Sequence, residues 1–220
     1  MTNTERELLR LRTDLIEMIN LVKSQFEKSK IAFLNFDEDI ADEIIHTEKR
    51  VNAMEISNDR DCETILGLIS PVATDLRFVL SCLKINSDLE RIGDYSEGIA
   101  KYVSSLETPF SAEILEAVKL EKMFDRAISM LDLILKAFEN SDTKVARKVF
   151  KKDIKLNKIK RNATVIIDEF VQKKPELFKS SLLLFSTIQK IERTGDHLKN
   201  IAEEIIFYLE ALVLKHEGKM

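Results

Sequence analysis

The chain has 220 residues, 45% of them hydrophobic and 33% charged, with only 5 Gly and 3 Pro. That length supports one core or two small domains of roughly 100 residues each, and so few chain breakers exclude the turn-rich composition of an all-β fold. The formal net charge of -4 excludes the overall basic excess that marks a nucleic-acid-binding surface, so no nucleic acid is expected as a partner.

Apolar residues recur at helical spacing almost from end to end. Leu8, Leu11, Leu15, Met18, Ile19, Val22 and Phe26 form one stripe on a helix of about 28 residues that ends near Asn35. Ile40, Ile44, Ile45, Val51, Met54, Ile65, Leu68 and Ile69 define a second helix. Ser70-Pro71 then resembles a helix start, because Pro in a first turn loses no hydrogen bond. Leu76, Val79, Leu80, Leu83, Leu89, Ile92, Ile99 and Val103 mark a third helix. Leu106-Glu107-Thr108-Pro109 reads as a linker, since Pro109 forces its predecessor out of helical geometry.

The pattern then repeats. At an offset of 105 residues Leu15 matches Leu120, Met18 matches Met123, Asn35 matches Asn140, Asp37 matches Asp142 and Asn52 matches Asn157. Further on the offset is 102, pairing Glu90-Arg91 with Glu192-Arg193, Gly93-Asp94 with Gly195-Asp196 and Ile99-Ala100 with Ile201-Ala202. A shorter connection around Pro175 accounts for the change. The expected fold is therefore all-α, a tandem repeat of two three-helix bundles with six long helices, divided as 1–107 and 108–220.

Cys62 and Cys82 are too few for a disulfide framework and read as packing thiols. The N-terminal residues carry no apolar leader, and no apolar run reaches the roughly 18 residues of a membrane span. A cytoplasmic protein is expected, reaching a membrane only through partners. The basic run Lys151, Lys152, Lys155, Lys158, Lys160 and Arg161 is expected to be a solvated helix face.

Glu90 and Asp94, and likewise Glu192 and Asp196, stand four residues apart on one helix face. Such acids repel, and a cation between them removes the repulsion. Oxygen ligands suit hard ions such as Mg²⁺, Ca²⁺, Mn²⁺ or iron. The same spacing occurs at Glu38/Asp42, Asp39/Glu43, Glu55/Asp59, Asp59/Glu63 and Glu121/Asp125, so spacing alone is weak. The two pairs singled out share Arg at the second position and Gly at the fourth. A mid-helix Gly costs about 1 kcal/mol relative to Ala, and close approach of a neighbouring helix is the simplest reason to keep it. On that neighbour Glu48 and Asn52 match Asp153 and Asn157. Each bundle is then expected to present four oxygen-bearing side chains: Glu48, Asn52, Glu90 and Asp94 in the first, Asp153, Asn157, Glu192 and Asp196 in the second. The alternative is a salt-bridge network in which Arg91 and Arg193 neutralise the acids.

Glu43-x-x-His46 matches half of a di-iron carboxylate motif, but the sequence has no second Glu-x-x-His. His197 and His216 are expected to be packing or surface residues, and Met18, Met123 and Met130 to be core. No glycine-rich phosphate loop or catalytic triad stands out, so no enzyme activity is expected.

Pro71-Val72-Ala73-Thr74-Asp75-Leu76-Arg77, Asp88-Leu89-Glu90-Arg91-Ile92-Gly93-Asp94, Ile191-Glu192-Arg193-Thr194-Gly195-Asp196-His197 and Asn200-Ile201-Ala202-Glu203-Glu204 resemble the signature stretches of the PhoU family over nearly the whole chain. The resemblance implies two three-helix bundles and metal clusters on their acidic surfaces, with iron, zinc, manganese or magnesium as candidate ions. It implies a negative regulator of the phosphate response, linking the ATPase subunit of a phosphate-specific ABC transporter to a phosphate-sensing histidine kinase and restraining uptake. A homodimer is the expected assembly. The chain departs from the family pattern at Asn52 and Asn157, where an acid is usual, and at Gly98, where Asn is usual. The second unit also lacks the 71–77 stretch, which is read either as a partner contact or bend or as an ordinary helix cap with an Asp75–Arg77 charge pair. Two other readings are a ferritin-like metal oxidase and a metal-free helical scaffold.

Overall fold

The computed structural model describes residues 2–214; His216 lies outside them. Helix α1 (Asn3–Asn35) begins earlier than its apolar stripe because Thr2 and Glu5 form a capping box that satisfies its first turn. It ends where Phe36 turns left-handed, at φ 55°. Asp37 then caps α2 (Glu38–Thr64) by accepting from the Ile40 amide at 3.0 Å. The second unit repeats this join. Helix α5 (Leu120–Asn140) ends at left-handed Ser141, and Asp142 caps the short α6 (Thr143–Ala146), which leads into α7 (Lys148–Lys173). Between the units lies one element the periodicity did not announce, the short helix α4 (Ala112–Ala117).

The third helix does not begin at Pro71. The chain leaves α2 through a π-helical turn, Ile65–Ile69, then passes left-handed Ser70 (φ 49°), and α3 spans Ala73–Ser105 without a side-chain cap. Ala73 is also left-handed, at φ 49°, a conformation that costs a non-Gly residue about 1–2 kcal/mol. Arg77 bonds Thr74 at 3.3 Å rather than pairing with Asp75. The matching connection in the second unit is shorter: a 3₁₀ turn at Pro175–Leu177 leads directly into α8 (Phe178–Glu210).

Six long helices make two three-helix sets, α1–α2–α3 and α5–α7–α8, and no strand is present among the described residues. The sets join where α3 packs on α8 and α1 on α5, so their apolar stripes merge into one core. Met18, Met123 and Met130 lie in that core. Burial pushes the Cys62 thiol up to about 12 and Cys82 well above its ordinary value, so both remain unreactive thiols.

The α3–α8 seam has an internal two-fold character. A shift of 102 residues carries Asp88 onto Lys190, Tyr95 onto His197, Gly98 onto Asn200 and Tyr102 onto Glu204. Asp88 faces His197, whose Nδ1 lies 2.7 Å away, and Asn200 Nδ2 at 3.4 Å. Its counterpart Lys190 faces the counterparts of those residues, Tyr95 and Gly98: its Nζ stands 5.4 Å from the Tyr95 ring centre, and 5.5 Å from that of nearby Tyr102. A Cβ on Gly98 would meet Lys190 Nζ at 2.5 Å, so glycine makes room for the lysine. Equivalent positions in reciprocal contact are the signature of an isologous interface, here formed within one chain. Near one end of the seam, Phe78 of α3 meets Phe138 of α5 and Tyr208 of α8, with ring centres 6.3 and 5.2 Å away. Arg12 of α1 lies over the Phe138 ring at 5.4 Å.

Because Phe78 joins both units, Phe78→Ala should cost about 3–5 kcal/mol and lower one cooperative transition. Urea unfolding followed by probes on α2 and on α7 is the check, and separate transitions would show that the seam does not couple the units.

Candidate functional site

Each unit buries one carboxylate of its second helix against the glycine of its third. A Cβ on Gly93 would stand 3.0 Å from Glu48 Oε2 and 3.0 Å from Val51 Cγ1. A Cβ on Gly195 would stand 2.5 Å from Leu156 Cδ2 and 3.2 Å from Asp153 Oδ1. The two motif glycines thus permit α2 to approach α3, and α7 to approach α8, at the level of these acids.

Glu48 is 4% exposed, and neither carboxylate oxygen has a hydrogen-bond partner. Burial, followed by the negative charges of Asp94, Glu97 and Glu90, pushes its carboxyl up to about 8; Lys101 opposes weakly. Asp153 is 6% exposed. Its Oδ1 has no partner, while its Oδ2 accepts from Asn157 Nδ2 at 3.3 Å, and Asn157 Oδ1 is itself buried without a partner. Burial and then Asp196 push Asp153 up to about 6, with Lys199 opposing. A buried polar atom without a partner costs about 1–3 kcal/mol, so both sites carry a penalty that packing alone does not explain.

The remaining candidates line the rims of these acids. Burial and then Asp94 raise Glu90, while Arg91 lies 3.5 Å from Glu90 Oε2 and 3.3 Å from Asp94 Oδ2. Burial and then Glu192 raise Asp196. Lys160 of α7 holds Glu192 at 2.8 Å, the neutralising role that the salt-bridge alternative gave to Arg193. Asn52 is exposed on α2 and contributes no contact to the site. Among the described residues no three His, Cys, Asp or Glu side chains converge on a point that could hold an ion. The donor set nevertheless suits a hard cation: Glu48 supplies two free oxygens, and Asp153 and Asn157 one each.

Residues outside the motif distinguish the two sites. At the first site, Glu55 and Glu97 stand where the second has Lys160 and Lys199. Glu97 is paired with Lys101 at 2.6 Å, a position that is Glu203 in the second unit. Glu97, three residues after Asp94, was legible as a same-face acid but was not singled out. Beside the first site, Asn58 and Asn86 form a buried bond of 2.9 Å, and Asn86 also donates to Asp59 Oδ1 at 2.9 Å, which explains the Glu55/Asp59 stretch as structural. The half di-iron motif is already engaged elsewhere: Glu43 pairs with Lys28 at 2.7 Å, and the His46 ring meets the Asp42 carbonyl at 2.8 Å.

A family profile described as the PhoU domain matches residues 15–103 and again 120–205. The "Phosphate-specific transport system accessory protein PhoU" of Edwardsiella tarda is 30% identical over 96% of this chain and 86% of its own length. The protein of the same description from Escherichia coli strain K12 is 30% identical over 96% of this chain and 87% of its own. The crystal structure of PhoU from Pseudomonas aeruginosa superimposes with a TM-score of 0.88 at 27% identity, covering 94% of this chain and 99% of that one. The phosphate transport system regulatory protein PhoU from Streptococcus pneumoniae gives 0.84 at 26% identity, covering 97% and 100%.

The raised Glu48 carboxyl sets a pH dependence. Below its ordinary value of 4.5 the group is neutral in folded and unfolded chains alike; as pH rises towards about 8 only the unfolded chain ionises, and stability falls. In chelator, Glu48→Gln should therefore flatten the loss of thermal stability between pH 5 and pH 8; an unchanged pH profile would show that Glu48 is not held neutral. Gly195→Ala gains helix propensity but must displace Leu156, and is expected to cost about 1–2 kcal/mol net, measured by urea unfolding.

Proposed function

The chain belongs to the PhoU family, and on that footing we propose that it is a negative regulator of the phosphate response. In this reading it links the ATPase subunit of a phosphate-specific transporter to a phosphate-sensing histidine kinase and restrains uptake when phosphate is plentiful. Support comes from the two-fold match to the family along nearly the whole chain and from relatives described as accessory proteins of phosphate-specific transport. No helix among the described residues is long and apolar enough to cross a membrane, which agrees with docking on a transporter through protein contacts. The role is one of binding and requires no reaction.

We further propose that the acidic faces hold cations. The observation carrying this is the pair of buried carboxylates with free oxygens, Glu48 and Asp153, each overlooked by the acids of its neighbouring helix. Glu48, Glu90 and Asp94 would hold an ion in the first unit, and Asp153, Asn157, Glu192 and Asp196 in the second. The absence of His or Cys from both sets favours Mg²⁺, Mn²⁺ or iron over zinc. A bound ion supplies positive charge that lets the buried carboxylates ionise. The protein's part is to desolvate these oxygens and keep them free of competing hydrogen bonds. Since Lys160 and Lys199 already supply positive charge to the second site, the first should bind the ion more tightly.

Deleting the gene should leave phosphate-starvation genes switched on in rich phosphate, read by a reporter fusion. Wild type should restore repression, whereas a variant with Glu90, Asp94, Glu192 and Asp196 all replaced by Ala should not. Repression intact in the deletion strain would contradict the regulatory role. For the cation, Mn²⁺ should raise the thermal midpoint of the wild-type protein, and Glu48→Gln should remove more of that gain than Asp153→Asn. An equal or reversed order would contradict the ranking of the two sites.

A further inference from the structure

Helices α4, α5 and α7 enclose a groove of about 240 Å³ on the second unit, away from the acidic sites. Five cationic side chains line it: Lys119, Lys122 and Arg126 from the start of α5, and Lys155 and Lys158 from α7. None of the five has an ion-pair partner among the described residues. The acids on this part of α5 face the other way, with Glu121 and Asp125 holding Lys30 of α1 at 3.2 and 2.6 Å. Arg126 lines the groove, and its Nε is buried without a hydrogen-bond partner. The floor between the cations is apolar, made by Val118, Ile159, Ala163 and Ile166.

The internal repeat supplies a control. At the offset of 105, the five cations correspond to Asp14, Glu17, Leu21, Arg50 and Ala53 in the first unit. There Arg50 is neutralised by Glu17 at 2.8 Å, and the set carries one net negative charge instead of five positive ones. The α4 wall lies outside both matched repeats. The groove therefore cannot be explained by the architecture common to the two units. Lys155 and Lys158 are exposed, as expected of the basic face, and line the groove together with the cations of α5. Five like charges around one concavity focus a positive potential there, which favours an anion. The α5 N-terminus has no side-chain cap and adds its partial positive charge to the same place.

We propose that this groove is a binding site for a diphosphate group, carried either by free pyrophosphate or by a nucleoside diphosphate. Charge selects the class. A single phosphate, with about two negative charges, leaves most of the lining uncompensated, whereas a diphosphate spans from the α5 cations to those of α7. Arg126 provides the directional donor and the lysines provide point charges. Size agrees, since the space corresponds to about eight waters at ~30 Å³ each. In a nucleotide the base would lie on the apolar floor.

The test is calorimetric titration of the full chain with pyrophosphate, ADP and inorganic phosphate at physiological salt. EDTA is included so that no ion on the acidic faces can capture phosphate; failure of this proposal is thereby separate from failure of the metal reading. Wild type should bind pyrophosphate or ADP saturably, and orthophosphate at least about tenfold more weakly, a difference of about 1.4 kcal/mol. ADP binding tighter than pyrophosphate assigns the nucleotide as the source, and equal binding assigns the diphosphate group alone. Lys122→Glu/Lys155→Glu should abolish binding and the milder Arg126→Gln should weaken it at least about tenfold, while the equally charged control Lys151→Glu/Lys173→Glu should leave it intact. Arg126→Gln decides the matter should the double variant not fold. No saturable heat with millimolar pyrophosphate, equal affinity for orthophosphate, or equal loss in the control would overturn the proposal.

Discussion

The two acidic sites depend on one constraint: a carboxylate is forced into the space beneath a glycine with at least one oxygen left without a hydrogen-bond partner. Replacing either glycine closes that space, and supplying a partner removes the reason for it. Glu48 and Asp153 are held at equivalent places by equivalent helices. The helix geometry carries two separate costs to maintain them, a mid-helix Gly and a desolvated acid. A structural role alone would be served better by a leucine or methionine, which packs without either cost. The repetition of the arrangement in both units argues that the free oxygens are the purpose of the packing.

The seam between α3 and α8 explains how two repeats become one molecule. Reciprocal contacts of Asp88 with His197 and Asn200, and of Lys190 with Tyr95 and Gly98, are what a homodimer two-fold would give. Within one chain the two sides of the seam need not be identical. One side is an acid–imidazole contact, and the other a lysine over two rings with a glycine cleared for it. The same freedom separates the acidic sites, where Glu55 and Glu97 oppose Lys160 and Lys199. It also separates the outer faces, where one unit is nearly neutral and the other carries the unpaired cations of the α4–α5–α7 groove.

Much of this was legible in the sequence. The repeat offsets located Asp37 and Asp142, which cap equivalent helices, and Met18 and Met123, which share the core. The Gly93 and Gly195 positions announced the close approach of a neighbouring helix, and that helix was correctly taken to carry Glu48 and Asp153. The rest was hidden for physical reasons. The same four-residue step, which overshoots a full turn by about 40°, leaves Asn52 in solvent but Asn157 half-buried beside Asp153, so spacing alone does not decide which amide joins its acid. Periodicity reports which face is apolar but not which long side chain reaches across, so Lys160 rather than Arg193 reaches Glu192. Pro71 resembled a first-turn proline, yet the left-handed residues at Ser70 and Ala73 delay the helix past it. Nothing in local pattern marks α4, whose six residues are too few to show a period.

The central claim, that the buried carboxylates are kept free for a cation, is tested most directly by anomalous diffraction from crystals grown with Mn²⁺. The account predicts an anomalous peak bonded to the Glu48 carboxylate and shared with acids of α3, with the Asp153 site filled at higher Mn²⁺. Anomalous peaks confined to other surfaces, with Glu48 still buried and unpartnered at saturating Mn²⁺, would contradict it.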